Sequence, residues 1–434
     1  MTHTQVLSLL LFIISLLLIS TETIHRTYAA LMGAFGMVCI GAARPEELLH
    51  LIDIEILAVV LGLFLLVRGA ERSGLFRLLA SKVMENSKSP TSFAVILLSF
   101  TMLLSIFMSN IGAMLVTTTL TITMARSLKI EPQTLLIFGS ILSNIGGMML
   151  LMSSIPNVII ALEGGLSFRS FLVNVVPLVL ILYSVTLLIF VKLFKSEFTP
   201  KPETEIRDLE FDEWMKRSME ISGLKVMRIN WSQILALVVV AGTVVGFVAY
   251  EWLNLTPAFV AITGGCLMLI VQGSEPARIL RHVDWSTILF LAGIFVMINC
   301  LDKVGTIGMI SGGLSSVLGK APFNASIALM WLSGIASSIV DNIPLSTSLA
   351  PIVKDLVQDE RWKVVWWGLL FGVNLGGNMT PIGSPSTIIA LGVSEQEGYR
   401  IPFTRMLKIG SGITVLHFGV SMLYLYLRYG MFPS

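Results

Sequence analysis

Between Asn374 and Thr387 the sequence reads NLGGNMTPIGSPST, inside an apolar segment running from about Val364 to Gly392. That segment cannot be one continuous helix. Gly376, Gly377 and Gly383 loosen the backbone, and Pro381 and Pro385 each remove a hydrogen-bond donor. A break at membrane depth is tolerated only where protein covers it or where it lines a polar cavity. A partner stretch, NIGGMMLLMSSIPN, runs from Asn144 to Asn157 in an earlier apolar segment. Two interrupted helices at matching positions in two halves point to the binding site of a secondary transporter.

The rest of the chain supplies the membrane that this reading needs. Of 434 residues, 55% are hydrophobic and 13% charged, and the mean hydropathy is +0.85. Long charge-free runs recur, so the chain is an all-α polytopic membrane protein whose first partner is the lipid bilayer. Cys39, Cys266 and Cys300 stand singly in apolar segments, which argues against a disulfide framework or metal cluster. No GxxxxGK[ST] loop is present, and nothing in the composition suggests a nucleic-acid partner. The first apolar run, Val6 to Ile19, lacks a basic leader and a cleavage site and reads as a retained span.

The chain divides into residues 1–194, a polar linker at 195–230, and 231–434. Each half is predicted to hold five spans and one re-entrant hairpin, at about 93–128 and 322–353. Each hairpin is followed by a broken helix, at about 132–162 and 364–392. Ser109-Asn110 and Asp341-Asn342 mark the two hairpin tips. The stretches at 68–89 and 302–320 are expected to lie in the interface. Pro45 and Pro276, Asp53 and Asp284, Gly62 and Gly293, and Glu71 and Asp302 all share an offset of 231 residues. An offset held over such a length marks an internal duplication. With an odd number of crossings per half, the copies insert with opposite topology and form inverted repeats. Lysine and arginine split 21 to 8 in favour of the side that carries the linker. The linker is therefore expected in the cytoplasm and both termini on the opposite side.

Asp341 is the leading candidate for chemistry. A carboxylate at bilayer depth costs about 2.5–3.5 kcal/mol even on the lenient insertion scale. An acid kept there is suited to exchange a proton or bind a cation. A second role, capping the hairpin's second arm before Pro344, is compatible with the first. Asn342, Asn374, Asn378, Thr380 and Ser384 offer neutral oxygens around it, and Gly376-Gly377 is expected to expose carbonyls. The matching set in the first half is Ser109, Asn110, Ser143, Asn144, Gly146, Gly147 and Asn157. It is poorer in oxygen ligands, since Met148 and Met149 stand where the second half has Asn378 and Met379. Glu71 and Asp302 are expected to pair with Arg72 and Lys303. Helix N-termini freed at the breaks favour anions, so the sign of the cargo stays open at this point.

The stretches ALMGAFGMVCIGAARPEELLHLID, FLAGIFVMINCLDKVG, SNIGG with IPN, DNIP, and NLGGN with its Gly-Ser-Pro turn resemble the ArsB/NhaD permease family of the ion transporter superfamily. Within it the likeness extends to a magnetosome-membrane member. The resemblance implies an elevator-type fold, a homodimer, and a bacterial inner or magnetosome membrane. It implies no cofactor and no enzyme activity, with H+ and Na+ as transported ions. This sequence departs from the family's pattern at Ser109, Met148-Met149 and Ser153-Ser154. The expected function is proton-coupled cation transport, as in Na+/H+ antiport, or proton transport alone. Alternatives are an arsenite, antimonite or other anion permease, and a non-transporting scaffold derived from a transporter.

Overall fold

The computed structural model describes residues 2–21, 23–76, 78, 89–128, 130–194, 230–273, 277, 280–318, 321–357 and 359–430. Residues 195–229 of the linker expected at 195–230, and half of the interfacial stretch at 68–89, lie outside the described residues. Every regular element among the described residues is helical.

In the first half these are α1 (His3–Ser20), α2 (Arg26–Cys39), α3 (Ile54–Arg72), α4 (Pro90–Phe107) and α5 (Asn110–Leu128). They are followed by α6 (Gln133–Met148), α7 (Ile155–Glu163), α8 (Phe168–Asn174) and α9 (Val176–Phe194). The second half has α10 (Trp231–Ala249), α11 (Pro257–Val271), α12 (Trp285–Lys303), α13 (Thr306–Leu318) and α14 (Pro322–Ser337). It ends with α15 (Asn342–Leu356), α16 (Val364–Gly376), α17 (Pro385–Gln396) and α18 (Phe403–Leu425).

The helix starts follow from side chains that satisfy the first free N–H groups. Asp53 accepts from the Ile56 N–H at 2.9 Å and Asp284 from the Thr287 N–H at 3.0 Å. Asp53 and Asp284, matched by the 231-residue offset, thus act as N-caps. Proline occupies the first turn of α4, α11, α14 and α17, where its missing donor costs nothing. Among the described residues four helical stretches are long and apolar enough to cross a membrane: Phe168–Phe194, Trp231–Ala249, Trp285–Lys303 and Phe403–Gly430. A fifth forms if Pro45–Leu51 and α3, bent by 56°, count as one. The shorter apolar helices include Thr91–Phe107 and Asn110–Thr123, the arms of the first expected hairpin, and also His3–Ile19 and Pro257–Val271, which the sequence reading takes as spans.

Both broken helices interrupt within the expected ranges, the second at its glycine pair and the first one residue past its own. The helix α6 runs through Gly146 and Gly147 before it ends at Met148, and α16 ends at Gly376. These glycines also permit close packing. A Cβ on Gly376 would lie 2.1 Å from the Gly334 carbonyl oxygen of α14, and one on Gly146 would lie 2.4 Å from that of Met102 on α4. Gly368 and Gly372 meet Ser326 and Met330 of α14 in the same way, making a small-residue seam that draws the two backbones together. Gly62 and Gly293, matched in the sequence, perform matching contacts. The first presses on Ala261 of α11, the second on Ala30 of α2.

The second arms of the hairpins pack across the halves. Helix α5 lies on α17, and α15 lies on α7. Helix α6 is buried from Thr134 to Met148 and α16 over its whole length, so the two broken helices form the centre of the fold.

Candidate functional site

The interrupted helices meet through asparagines. Asn144, near the end of α6, donates to Asn378 Oδ1 at 2.7 Å and to Ser384 Oγ at 3.0 Å. Its own carbonyl oxygen accepts from Asn110 at 3.2 Å and from Ser386 at 2.9 Å. On α16, Asn374 donates to Asn157 Oδ1 at 3.1 Å. Asn157 in turn donates to the backbone carbonyls of Gly147 at 3.0 Å and Leu150 at 2.7 Å. Each helix-end asparagine therefore reaches into the break of the other half. Such reciprocal bonds fix two unwound segments without charge.

The structure brings Asn110, Asn144, Asn378 and Ser384 into one cluster, and Gly147, Asn157 and Asn374 into an adjoining one. Ser143 shares a hydrogen bond of 2.8 Å with Ser105 and donates to the Asn110 carbonyl at 3.4 Å. Thr380 donates to the Ser338 carbonyl, tying the second break to its hairpin. Gly146, Gly376 and Gly377 serve packing and helix termination. Asn144, Asn157, Asn374, Asn378 and Ser384 are all buried. Two polar atoms in this lattice lack a protein partner, Asn110 Oδ1 and Asn378 Nδ2.

Beside the lattice lies a cavity of about 190 Å3. The first half lines it with Ser109, Asn110, Ser154 and Pro156, and the second with Asn342, Ile343 and Pro385. From α2, α3 and α12 come Arg26, Arg68, Glu71, Asp284 and Thr287. The N-terminal ends of α5, α7, α15 and α17 all border this space, each carrying partial positive charge. Three of the four starts carry a side-chain bond: Ser109 accepts from the Gly112 N–H, Asp341 from that of Ile343, and Ser384 from that of Thr387. Helix α7 differs. Its N-cap, Ser154, makes no capping bond, and the buried Ser154 hydroxyl has no protein partner. An open helix start beside a partnerless hydroxyl can receive an anion.

The side-chain charges at the rim are paired. Arg68 binds Glu71 at 2.9 Å, a partner other than the Arg72 expected from sequence, and Lys303 binds Glu47 rather than Asp302. Asp341, at the second hairpin tip, caps α15 as the sequence suggested, its Oδ1 accepting from the Ile343 N–H at 3.1 Å. Its Oδ2 lies 3.4 Å from Arg26 Nη1. Arg26 is one of the 21 basic residues that the sequence reading puts on the linker's side. A cation at the first position of a helix opposes the macrodipole and needs acidic partners, which was the available signal.

Residues 16–372 match the family described as CitMHS, citrate transporter. The chain belongs to the CitMHS citrate transporter family. The likeness to ArsB/NhaD permeases read from the motifs agrees with this at the level of membrane transport. The chain is 28% identical to a 46 kDa membrane protein of Mycobacterium leprae, with 98% of this chain and 99% of that one covered. It is 27% identical to the uncharacterized transporter Rv2684 of Mycobacterium tuberculosis over the same shares. Its fold is similar to that of the Alcanivorax borkumensis YdaH transporter, with a TM-score of 0.61, 13% identity and 99% of both chains covered. This CitMHS-family chain is thus an integral membrane transporter with an all-helical fold.

Proposed function

We propose that the chain is a secondary transporter of small anions bearing carboxylate or comparable oxygens. The observation that carries this reading is the open N-terminus of α7, with the partnerless Ser154 hydroxyl, on a cavity bordered by three further helix N-termini. The family's description as citrate transporters agrees with it. Around the cavity Arg26 and Arg68 face Glu71, Asp284 and Asp341, so the side chains carry one net negative charge and the attraction for an anion has to come from the helix ends. The two hairpins and the two broken helices, joined by the asparagine bonds and by Thr380 to Ser338, would move as one body against α2, α3, α11 and α12. Proton or sodium gradients would drive the movement, 100 mV being worth about 2.3 kcal/mol per charge.

The second reading, proton- or sodium-coupled cation exchange, draws support from Asp341, a carboxylate on a hairpin tip. Uptake into proteoliposomes separates the two. Labelled citrate and inorganic phosphate should accumulate under an imposed gradient, and unlabelled anion should compete. Sodium or proton flux that ignores all tested anions and disappears in Asp341→Asn would establish the cation reading in its place.

A further inference from the structure

Arg26 lines the same cavity as the open start of α7, and α12 holds it there. Its Nη2 donates to Thr287 Oγ1 at 2.9 Å, lies 3.9 Å from Asp284 Oδ2, and its guanidinium carbon stands 5.5 Å from the Phe290 ring centroid. These three partners all belong to the first two turns of α12 or its cap. The remaining edge of the fork points across to the second hairpin, where Nη1 meets Asp341 Oδ2 at 3.4 Å. That contact is longer than a charge-assisted hydrogen bond of good geometry. Both side chains keep about a quarter of their surface exposed, 26% and 25%. A pair so placed shifts an equilibrium by no more than about fivefold.

We propose that Arg26 is an anion-binding residue of the cavity and that Asp341 is its resident competitor. With the cavity empty, the hairpin-tip carboxylate takes the guanidinium and holds α15 against α12. A small anion seated at the start of α7 and on Arg26 displaces it. Asp284 and Asp341 already face this one guanidinium, so a third negative group seated on it brings net repulsion that moves the tip away. The arrangement makes release of the hairpin depend on cargo. It also explains why the pair is loose, since a tight bond would exclude the cargo it has to yield to. This assignment rests on the anion reading of the cavity.

Hydrogen exchange of the full-length protein in detergent, read on peptides covering residues 338–345, tests the competition, with citrate and inorganic phosphate as probes at matched ionic strength. Binding of each labelled probe is measured in parallel. In the wild type, a bound probe should raise tip exchange about three- to fivefold. Asp341→Asn keeps a good N-cap, and it should show the raised exchange without any probe and no further rise with one. Arg26→Gln should do the same and also weaken probe binding about tenfold. The double variant should exchange no faster than either single one, because both remove one contact. A tip as protected in Asp341→Asn as in the wild type, additive single effects, or a bound probe that leaves tip exchange unchanged would each overturn the competition. Failure of every probe to bind, with the two substitutions still non-additive, would instead overturn the anion reading and leave the ion pair as a simple clasp.

Discussion

Asn144 and Asn378 share a hydrogen bond of 2.7 Å although 234 residues separate them. The bond joins the end of α6 to the break after α16, and Asn374 answers it by donating to Asn157. Neutral carboxamides suit this place because each can donate and accept at once. A charged residue in the same pocket would need a counter-ion.

Asn144→Ala should therefore be among the most damaging single changes outside the apolar core. It takes a partner from Asn110, Asn378, Ser384 and Ser386; the two serines keep their bonds to each other and to Thr387, so the orphaned groups are on the asparagines, of which Asn378 is fully buried. Each orphaned buried group costs about 1–3 kcal/mol, so a total loss of roughly 3 kcal/mol is expected. Thermal melts of the purified protein check this against Thr119→Ala, whose exposed hydroxyl bonds only to its own helix at the Leu115 carbonyl. A melting temperature that falls equally in both variants would contradict the account.

Gly376→Ala should destabilise by about 1–3 kcal/mol through overpacking, because the new methyl would press on the Gly334 backbone, which cannot rotate away. Gly412→Ala on α18 is the matched comparison. It has nothing within 4 Å and should be neutral or mildly stabilising through helix propensity, by up to about 1 kcal/mol. Denaturation midpoints that move in opposite directions for the two variants are the expected result.

Asp359 offers a test of pH dependence outside the membrane-spanning segments. Side-chain hydrogen bonds from Arg361, then backbone N–H bonds from Arg361 and Trp362, hold its carboxyl below the ordinary 3.8. A lowered folded value means the contribution is present above the unfolded value and is lost as pH falls through the folded one. The site is fully exposed, so the effect is small and weakened by salt. Melts of wild type and Asp359→Asn should differ slightly at pH 7 and converge below about pH 4.

Much of this fold was legible because its signals are local. Prolines and capping residues mark the starts of α4, α11, α12, α14, α15 and α17, and the apolar runs between them set helix length. The two breaks could be read from Pro156, Pro381 and Pro385. What Gly146 and Gly376 do was not legible, since a glycine that permits unwinding and one that permits a neighbouring carbonyl to approach look alike in sequence. The asparagine lattice was foreseen as a set of residues, though not as pairs, because its bonds join positions more than 200 residues apart. The choice of cavity wall was hidden for a similar reason. Asn378 and Ser384 looked like open ligands, yet Asn144 covers them, while Ser154 stood out only as part of the Ser153-Ser154 departure from the family's pattern.

Ser154 separates the two readings of the cavity most directly. Its hydroxyl has no protein partner, so Ser154→Ala should leave folding almost unchanged. If an anion takes that hydroxyl, the variant loses a hydrogen bond to a charged group, about 1.5–3 kcal/mol. The KM for the transported anion should then rise about tenfold or more, 1.4 kcal/mol being one decade. Ser154→Asp goes further. Aspartate is a good N-cap and suits the positive end of α7, so the protein should fold at least as well. Its carboxylate would occupy the anion's seat, and anion uptake should cease in a protein that melts no lower than the wild type. A cation carrier would respond in the opposite sense, because an added carboxylate on the cavity strengthens its binding. Initial rates of citrate, phosphate and sodium uptake in the two variants, normalised to reconstituted protein, distinguish these outcomes.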